Sequence, residues 1–131
     1  MKDVIITDDK SKFPVEQAIE LLHTSYWAEK RDPEVIKKSI ENSIVFGVYS
    51  EDNLIGMARV ITDFATTFYL ADVIIAENYR GNGLGKKLIS TIMSDERFSS
   101  LFGILVTRDA HGLYEHFGFK RDTERAMTRR L

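Results

Sequence analysis

The residues best suited to chemistry lie in one short run, Asn78-Tyr79-Arg80-Gly81-Asn82-Gly83-Leu84-Gly85-Lys86. Three alternating glycines let a backbone approach a ligand with no side chain in the way. The run follows an apolar, strand-like stretch at 68–76 and opens a helix-like stretch at 84–93. A helix start exposes unpaired N–H groups, and its dipole favours negative charge. Arg80 in front and Lys86 and Lys87 behind add cationic side chains. Together these features describe a cradle for phosphate. The plainer alternative is a glycine-rich tight turn with incidental basic residues.

Counting positions separates this loop from two other phosphate loops. A P-loop places Gly-Lys and then Ser or Thr five residues after its first glycine; here Gly81 is followed at that distance by Lys86 and Lys87. The dinucleotide fingerprint requires glycine at 86 or 88, which are Lys86 and Leu88. What remains, Arg80-Gly81-Asn82-Gly83-Leu84-Gly85, resembles the acyl-CoA pyrophosphate loop of the GNAT superfamily of N-acyltransferases. That pattern is Arg or Gln, two residues, Gly, one residue, then Gly or Ala, and Arg80, Gly83 and Gly85 occupy those places. Downstream, the stretch from Thr107-Arg108-Asp109 to Tyr114-Glu115-His116-Phe117-Gly118-Phe119 is similar to the GNAT strand-to-helix segment ending in Tyr-x-x-Phe-Gly-Phe. Residues 103–107, which lead into it, read as a buried strand, and 109–117 as a short amphipathic helix.

The resemblance implies an α/β GNAT fold: a mixed, mostly antiparallel central sheet with a splayed parallel strand pair, flanked by about four helices. It implies acetyl-CoA as co-substrate, with the pyrophosphate on Arg80, Gly81, Asn82, Gly83, Leu84, Gly85 and Lys86. Splaying leaves backbone groups of Val73, Ile74 and Ile75 for the amide-bearing pantetheine arm, because buried backbone groups need partners. Thr107 stands where the family often has an asparagine that touches CoA. A hydroxyl cannot reproduce the amide's pair of hydrogen bonds.

Tyr114 aligns with the family's general-acid tyrosine. A phenol of pKa about 10 keeps its proton at neutral pH and can pass it to a thiolate whose acid has a pKa of about 8.5. Tyr114 also shares helical spacing with Ala110, Leu113 and Phe117, which a packing role alone explains. Asp72 lies among Leu70, Ala71 and Val73, where a carboxylate is costly without a partner. Either it binds or deprotonates the incoming amine, or it pairs with Arg59 or a backbone donor. Tyr26, Trp27, Asp63 and Phe64 fall in the regions that build the acceptor pocket of this fold. The three histidines show no metal spacing, and no motif demands a metal.

Composition sets wider bounds. The chain has 131 residues, 44% hydrophobic and 29% charged, which fits one domain with a single core; the resemblance implies that residues 1–131 are one N-acetyltransferase (GNAT) domain. A net charge of −2 argues against nucleic acid as a primary partner. Without cysteine there is neither disulfide nor thiolate chemistry. The N-terminus lacks a secretory pattern and no stretch approaches the roughly 20 apolar residues of a membrane span, so a cytoplasmic protein that engages no membrane is expected.

The elements that must position these residues follow in order. Residues 4–7 read as a strand, and Pro14 opens a helix whose apolar stripe includes Ala18, Ile19 and Leu22. Asp32-Pro33 caps and opens a second helix. Residues 44–49 and 54–62 form a hairpin, 68–76 is the third antiparallel strand, and 125–131 is expected as a terminal edge strand. The resulting expectation is an N-acetyltransferase that moves acetyl from acetyl-CoA to a small-molecule or peptide amine, in a chain that is compatible with a homodimer. The competing class is a catalytically silent CoA-binding or regulatory domain of the same fold.

Overall fold

The computed structural model describes residues 3–130. Its order is β1 (Val4–Thr7), α1 (Val15–His23), α2 (Pro33–Glu41), β2 (Ile44–Ser50), β3 (Asn53–Thr62), β4 (Thr67–Ile75), α3 (Leu84–Met93), β5 (Phe102–Leu105) and α4 (His111–Glu115). The five strands form one sheet in sequence order, antiparallel from β1 to β4 and parallel between β4 and β5. Helices cover both faces. One apolar cluster joins Phe46, Val60, Phe68 and Leu70 to Leu88 and Ile92 of α3. The other joins Val45 and Met57 to Leu22 of α1 and Ile36 of α2. β2 and β3 lie between both clusters and are buried almost throughout.

Local chemistry accounts for the boundaries. The Asp32 carboxylate accepts the Glu34 N–H at 2.7 Å, and Pro33 sits where a missing N–H costs nothing. Pro14 stands one place earlier than its sequence suggests, at the N-cap of α1. Lys10 donates from Nζ to the carbonyls of Glu41 and Ser43, satisfying the end of α2. Gly103 is required by packing, because a Cβ there would meet the Phe68 ring at 2.4 Å.

Two expectations are corrected at the far edge of the sheet. The stretch at 103–107 is not a buried strand: β5 covers only Phe102–Leu105, with Phe102 67% and Ile104 41% exposed. Among the described residues no strand lies beyond it. Residues 125–130 do not form a strand either; they are exposed and join no ladder among the described residues, and Leu131 lies outside those residues. The short helix is also trimmed, to His111–Glu115.

One irregularity organises the site. Along β4, Phe68 and Leu70 face the α3 cluster, whereas Ile74 faces the α1–α2 cluster, so the alternation inverts between them. The register to β3 shifts at that point, and Asp72 carries a φ of 52°. This is a β-bulge, and its effect is to re-aim a side chain. Regular alternation would have driven Asp72 into the apolar core beside Phe68 and Leu70. The bulge turns it toward Arg59 and the α1–α2 connection instead.

Candidate active site

The parallel ladder between β4 and β5 runs from Thr67–Phe102 to Leu70–Leu105 and stops. β4 continues to Ile75 without a neighbour on that side. The strands part where the resemblance requires a gap. The open backbone is narrower than expected, however. Ile74 and Ile75 pair with Met57 and Gly56 on the β3 side, and the Ile75 carbonyl accepts Arg80 Nε at 2.8 Å. Ile75 is thus partly satisfied by the protein itself, and only the edge of β4 that faces away from β3 remains free.

Just past β4, a 3-10 turn at Glu77–Tyr79 leads into the glycine loop. Gly81 and Gly83 have φ of 83° and 76°, a region that costs other residues energy. A Cβ at either would meet nothing within 4 Å, so the space before them is open. Gly83 is the N-cap of α3 and no side chain caps this helix, which leaves the first-turn N–H groups of Leu84, Gly85 and Lys86 without intrahelical partners. Asn82 closes the loop by donating to the Tyr79 carbonyl at 3.1 Å. Arg80 braces the loop onto β4 through Nε and still presents the far side of its guanidinium.

Tyr114 is 7% exposed and sits in the α3-side cluster, against which Val73 and Leu105 also pack. Its ring meets Phe119 edge-on at 6.1 Å. Burial pushes its hydroxyl up to about 12, and the nearby Asp109 and Tyr26 add to the shift. Packing and proton storage are therefore compatible in this residue. Thr107 accepts the Ala110 N–H through Oγ1 at 3.1 Å, so its hydroxyl shapes the start of α4, and Asp109 does not cap it.

Asp72 departs most from expectation. Its carboxylate receives three donors: Trp27 Nε1 at 2.9 Å, Arg31 at 2.8 Å and Arg59 Nε at 2.8 Å. Burial is the strongest single influence and raises its pKa. The hydrogen bonds and charges of Arg31 and Arg59 together outweigh it and hold the carboxyl below the usual range. A carboxylate bound by two guanidiniums is a poor proton acceptor, and the pairing with Arg59 that the sequence offered as one alternative is present. Arg31 completes the site, and its part was hidden because 41 residues separate it from Asp72.

Tyr26 and Trp27 do not close the core. They are 46% and 40% exposed and meet edge to face at 5.1 Å. The Arg108 guanidinium lies 3.7 Å over the Tyr26 ring, a cation–π contact that ties the α1–α2 connection to the segment before α4. His23 holds the same connection, with Nε2 2.8 Å from the Arg31 carbonyl. Trp27, Asp72, Arg31, Tyr26 and Arg108 thus form one linked wall. Asp63 does not join it. Its carboxylate accepts the N–H groups of Ala65, Thr66 and Thr67 and the Thr66 hydroxyl, and these bonds hold its pKa well below the usual range. At about 3.3 Å per residue, the strand from Thr67 to Asp72 sets that turn roughly 17 Å from the bulge. Phe64, 58% exposed, lines a separate shallow groove with Ser43 and Thr62. Among the described residues no cluster of His, Asp and Glu could hold a metal, and no helix is long and apolar enough to cross a membrane.

Comparisons with known proteins agree with this fold. The family described as the acetyltransferase (GNAT) domain matches residues 41–121. A GNAT-family protein of Xanthomonas campestris pv. campestris shares 30% identity and superposes with a TM-score of 0.92, covering 100% of this chain and 95% of its own. A Staphylococcus aureus protein of unknown function shares 26% identity at a TM-score of 0.81, covering 98% of each chain. The uncharacterized N-acetyltransferase ycf52 of Gracilaria tenuistipitata var. liui is 31% identical over 102 residues, 72% of this chain and 56% of that protein. The chain spans about half the length of that relative, and about a third of further curated ones.

Proposed function

We propose that this chain, which belongs to the acetyltransferase (GNAT) family, transfers the acetyl group of acetyl-CoA to an amine. The observation that carries the reading is the gap. The β4–β5 ladder ends at Leu70–Leu105, the uncapped start of α3 stands past the end of β4, and buried Tyr114 packs with the same cluster as Val73 and Leu105.

The pyrophosphate is held by the Leu84, Gly85 and Lys86 N–H groups, with Arg80 and Lys86 adding charge and Gly81 and Gly83 keeping the approach clear. An anion at a helix start needs no further machinery. The pantetheine amides pair with the free edge of β4 around Val73. That edge also offers an N–H to the oxygen of the reacting carbonyl, where fixed donors contribute most. The amine attacks the thioester carbonyl, the C–S bond breaks, and Tyr114 gives its proton to the departing sulfur. The raised pKa keeps that proton in place at neutral pH.

Asp72 acts as a positioning residue rather than a base. It fixes Trp27 and Arg31 as one wall of the acceptor side, and the amine loses its proton to water. Arg31 and Arg108 give this wall positive character, which suits an acceptor carrying a carboxylate or phosphate beside its amine. Incubating the protein with acetyl-CoA and a panel of amines, with free thiol as readout, tests the reading. Acetylation of at least one amine is expected. Binding of acetyl-CoA with no transfer to any amine would favour the silent domain.

A further inference from the structure

Hydrogen-bonding capacity around the β4 bulge is spent unevenly. The wall built on Asp72 contains one carboxylate, and both of its oxygens are occupied: Oδ1 takes Trp27 Nε1, and Oδ2 takes Arg31 and Arg59. With 3% of that side chain exposed, it offers nothing to an incoming ammonium. Donors are in excess. Arg31 gives Asp72 only Nη1, and 26% of its side chain reaches solvent. Arg108 is exposed, and among the described residues its guanidinium meets the Tyr26 ring and no carboxylate.

The contact with Tyr26 bears on what Arg108 can bind. A guanidinium can rest on an aromatic face and still donate from its rim, as a planar fork that matches carboxylate and phosphate oxygens. Tyr26 thus holds Arg108 in place without consuming a donor. The same ring adjoins the reacting groups, since Tyr26 and Asp109 both act electrostatically on the Tyr114 hydroxyl. Other charges nearby are balanced or engaged: Glu29 adjoins Lys30, and Asp32 caps α2. Asp109 is the one carboxylate beside the wall that takes no hydrogen bond among the described residues, so it is where a cationic acceptor would have to dock.

We infer that Arg108, held on Tyr26 and assisted by Arg31, selects an acceptor amine that carries a carboxylate or phosphate on the same small molecule. The inference rests on the transfer reaction proposed above and narrows its acceptor. Amino acids and aminoalkyl phosphates meet free guanidinium donors. Polyamines and aminoglycosides bring only positive charge and find the Asp72 carboxylate already filled. The oxyanion docks on Arg108 and leaves the amine to face the thioester, so selection acts on binding.

Trp27 is the sole tryptophan and stands in this wall, so its fluorescence reports occupancy without turnover. With CoA present, it is titrated with amino acids and their amides, with aminoalkyl phosphates and the matching aminoalcohols, and with spermidine and kanamycin. At least one anionic amine should give a saturable change, with its neutral counterpart about tenfold weaker or more. Whether the acid or the phosphate binds more tightly decides between the two oxyanions. Arg108→Gln should weaken the anionic amine by about tenfold or more and its neutral counterpart much less. Arg108→Glu should weaken it further, and Arg108→Lys should recover part of the loss. Steady-state acetylation should show the same order in KM. Tighter binding of neutral or polycationic amines, equal weakening of acid and amide by Arg108→Gln, or no saturable response to any anionic amine overturns the inference. Binding of an anionic amine with no acetylation of any amine would count against the transfer reaction and leave the anion site standing.

Discussion

Replacing Asp72 with asparagine removes a charge that two guanidiniums share. The Asp72 side chain is 3% exposed, Arg59 11% and Arg31 26%. Removing one side of a buried ion pair costs about 3–5 kcal/mol, because the surviving charge stays buried. Arg31 can recover water and Arg59 cannot, which places the loss near the lower end, about 3 kcal/mol. At roughly 3–4 °C per kcal/mol for a domain of this size, the variant should melt about 10 °C below wild type. The pH dependence gives an independent arm. A carboxyl whose folded pKa is depressed contributes stability above its unfolded value, about 3.9, and loses it as pH falls through the folded value. The gap between wild type and Asp72→Asn is therefore constant from neutrality to about pH 5 and narrows below about pH 4. Urea unfolding followed by circular dichroism measures both, and avoids Trp27, which touches the mutated group. A variant within about 0.5 kcal/mol of wild type at pH 7, or a gap that ignores pH, would refute the network as the reason for the bulge.

Other consequences are more local. Gly83→Asp puts a negative charge before the α3 start, at a φ that aspartate tolerates better than most residues. Calorimetry should find acetyl-CoA binding abolished while circular dichroism reports the fold intact. Gly103→Ala forces the Phe68 ring aside and should cost about 1–3 kcal/mol of stability in urea unfolding. Because the Tyr114 hydroxyl is raised to about 12 by burial, its stabilising share is intact below about pH 10 and lost as pH rises toward that value. Tyr114→Phe should flatten that alkaline limb of the stability curve.

Much of the fold was legible because local signals and tertiary structure agree. The Asp32-Pro33 start, the 84–93 helix and the hairpin of β2 and β3 rest on caps, periodicity and turns that act within a few residues. The glycine loop was legible for the same reason. The Asp72 environment was not. β4 is apolar on both faces, so the inversion at Asp72 does not stand out in its sequence, and the partners Trp27 and Arg31 come from a connection 45 and 41 residues away. Asp63 shows the converse: a carboxylate assigned to the acceptor region by element order has its oxygens engaged within its own turn. At the sheet edge, the apolar run of β5 reads as buried because sequence pattern registers hydrophobicity and not what covers it. The edge strand expected at 125–130 joins no ladder among the described residues, because Arg-Ala-Met-Thr-Arg-Arg gives neither side an apolar stripe to bury.

The central claim is that Tyr114 delivers the proton that lets the thiolate leave. Tyr114→Phe keeps the ring and its contact with Phe119 and removes only the hydroxyl. With the amine found by the acceptor screen, and with acetyl transfer shown to be rate-limiting, turnover should fall by about 10²-fold or more while acetyl-CoA binds as before. Wild-type turnover in that variant would contradict the account and leave Tyr114 as a packing residue.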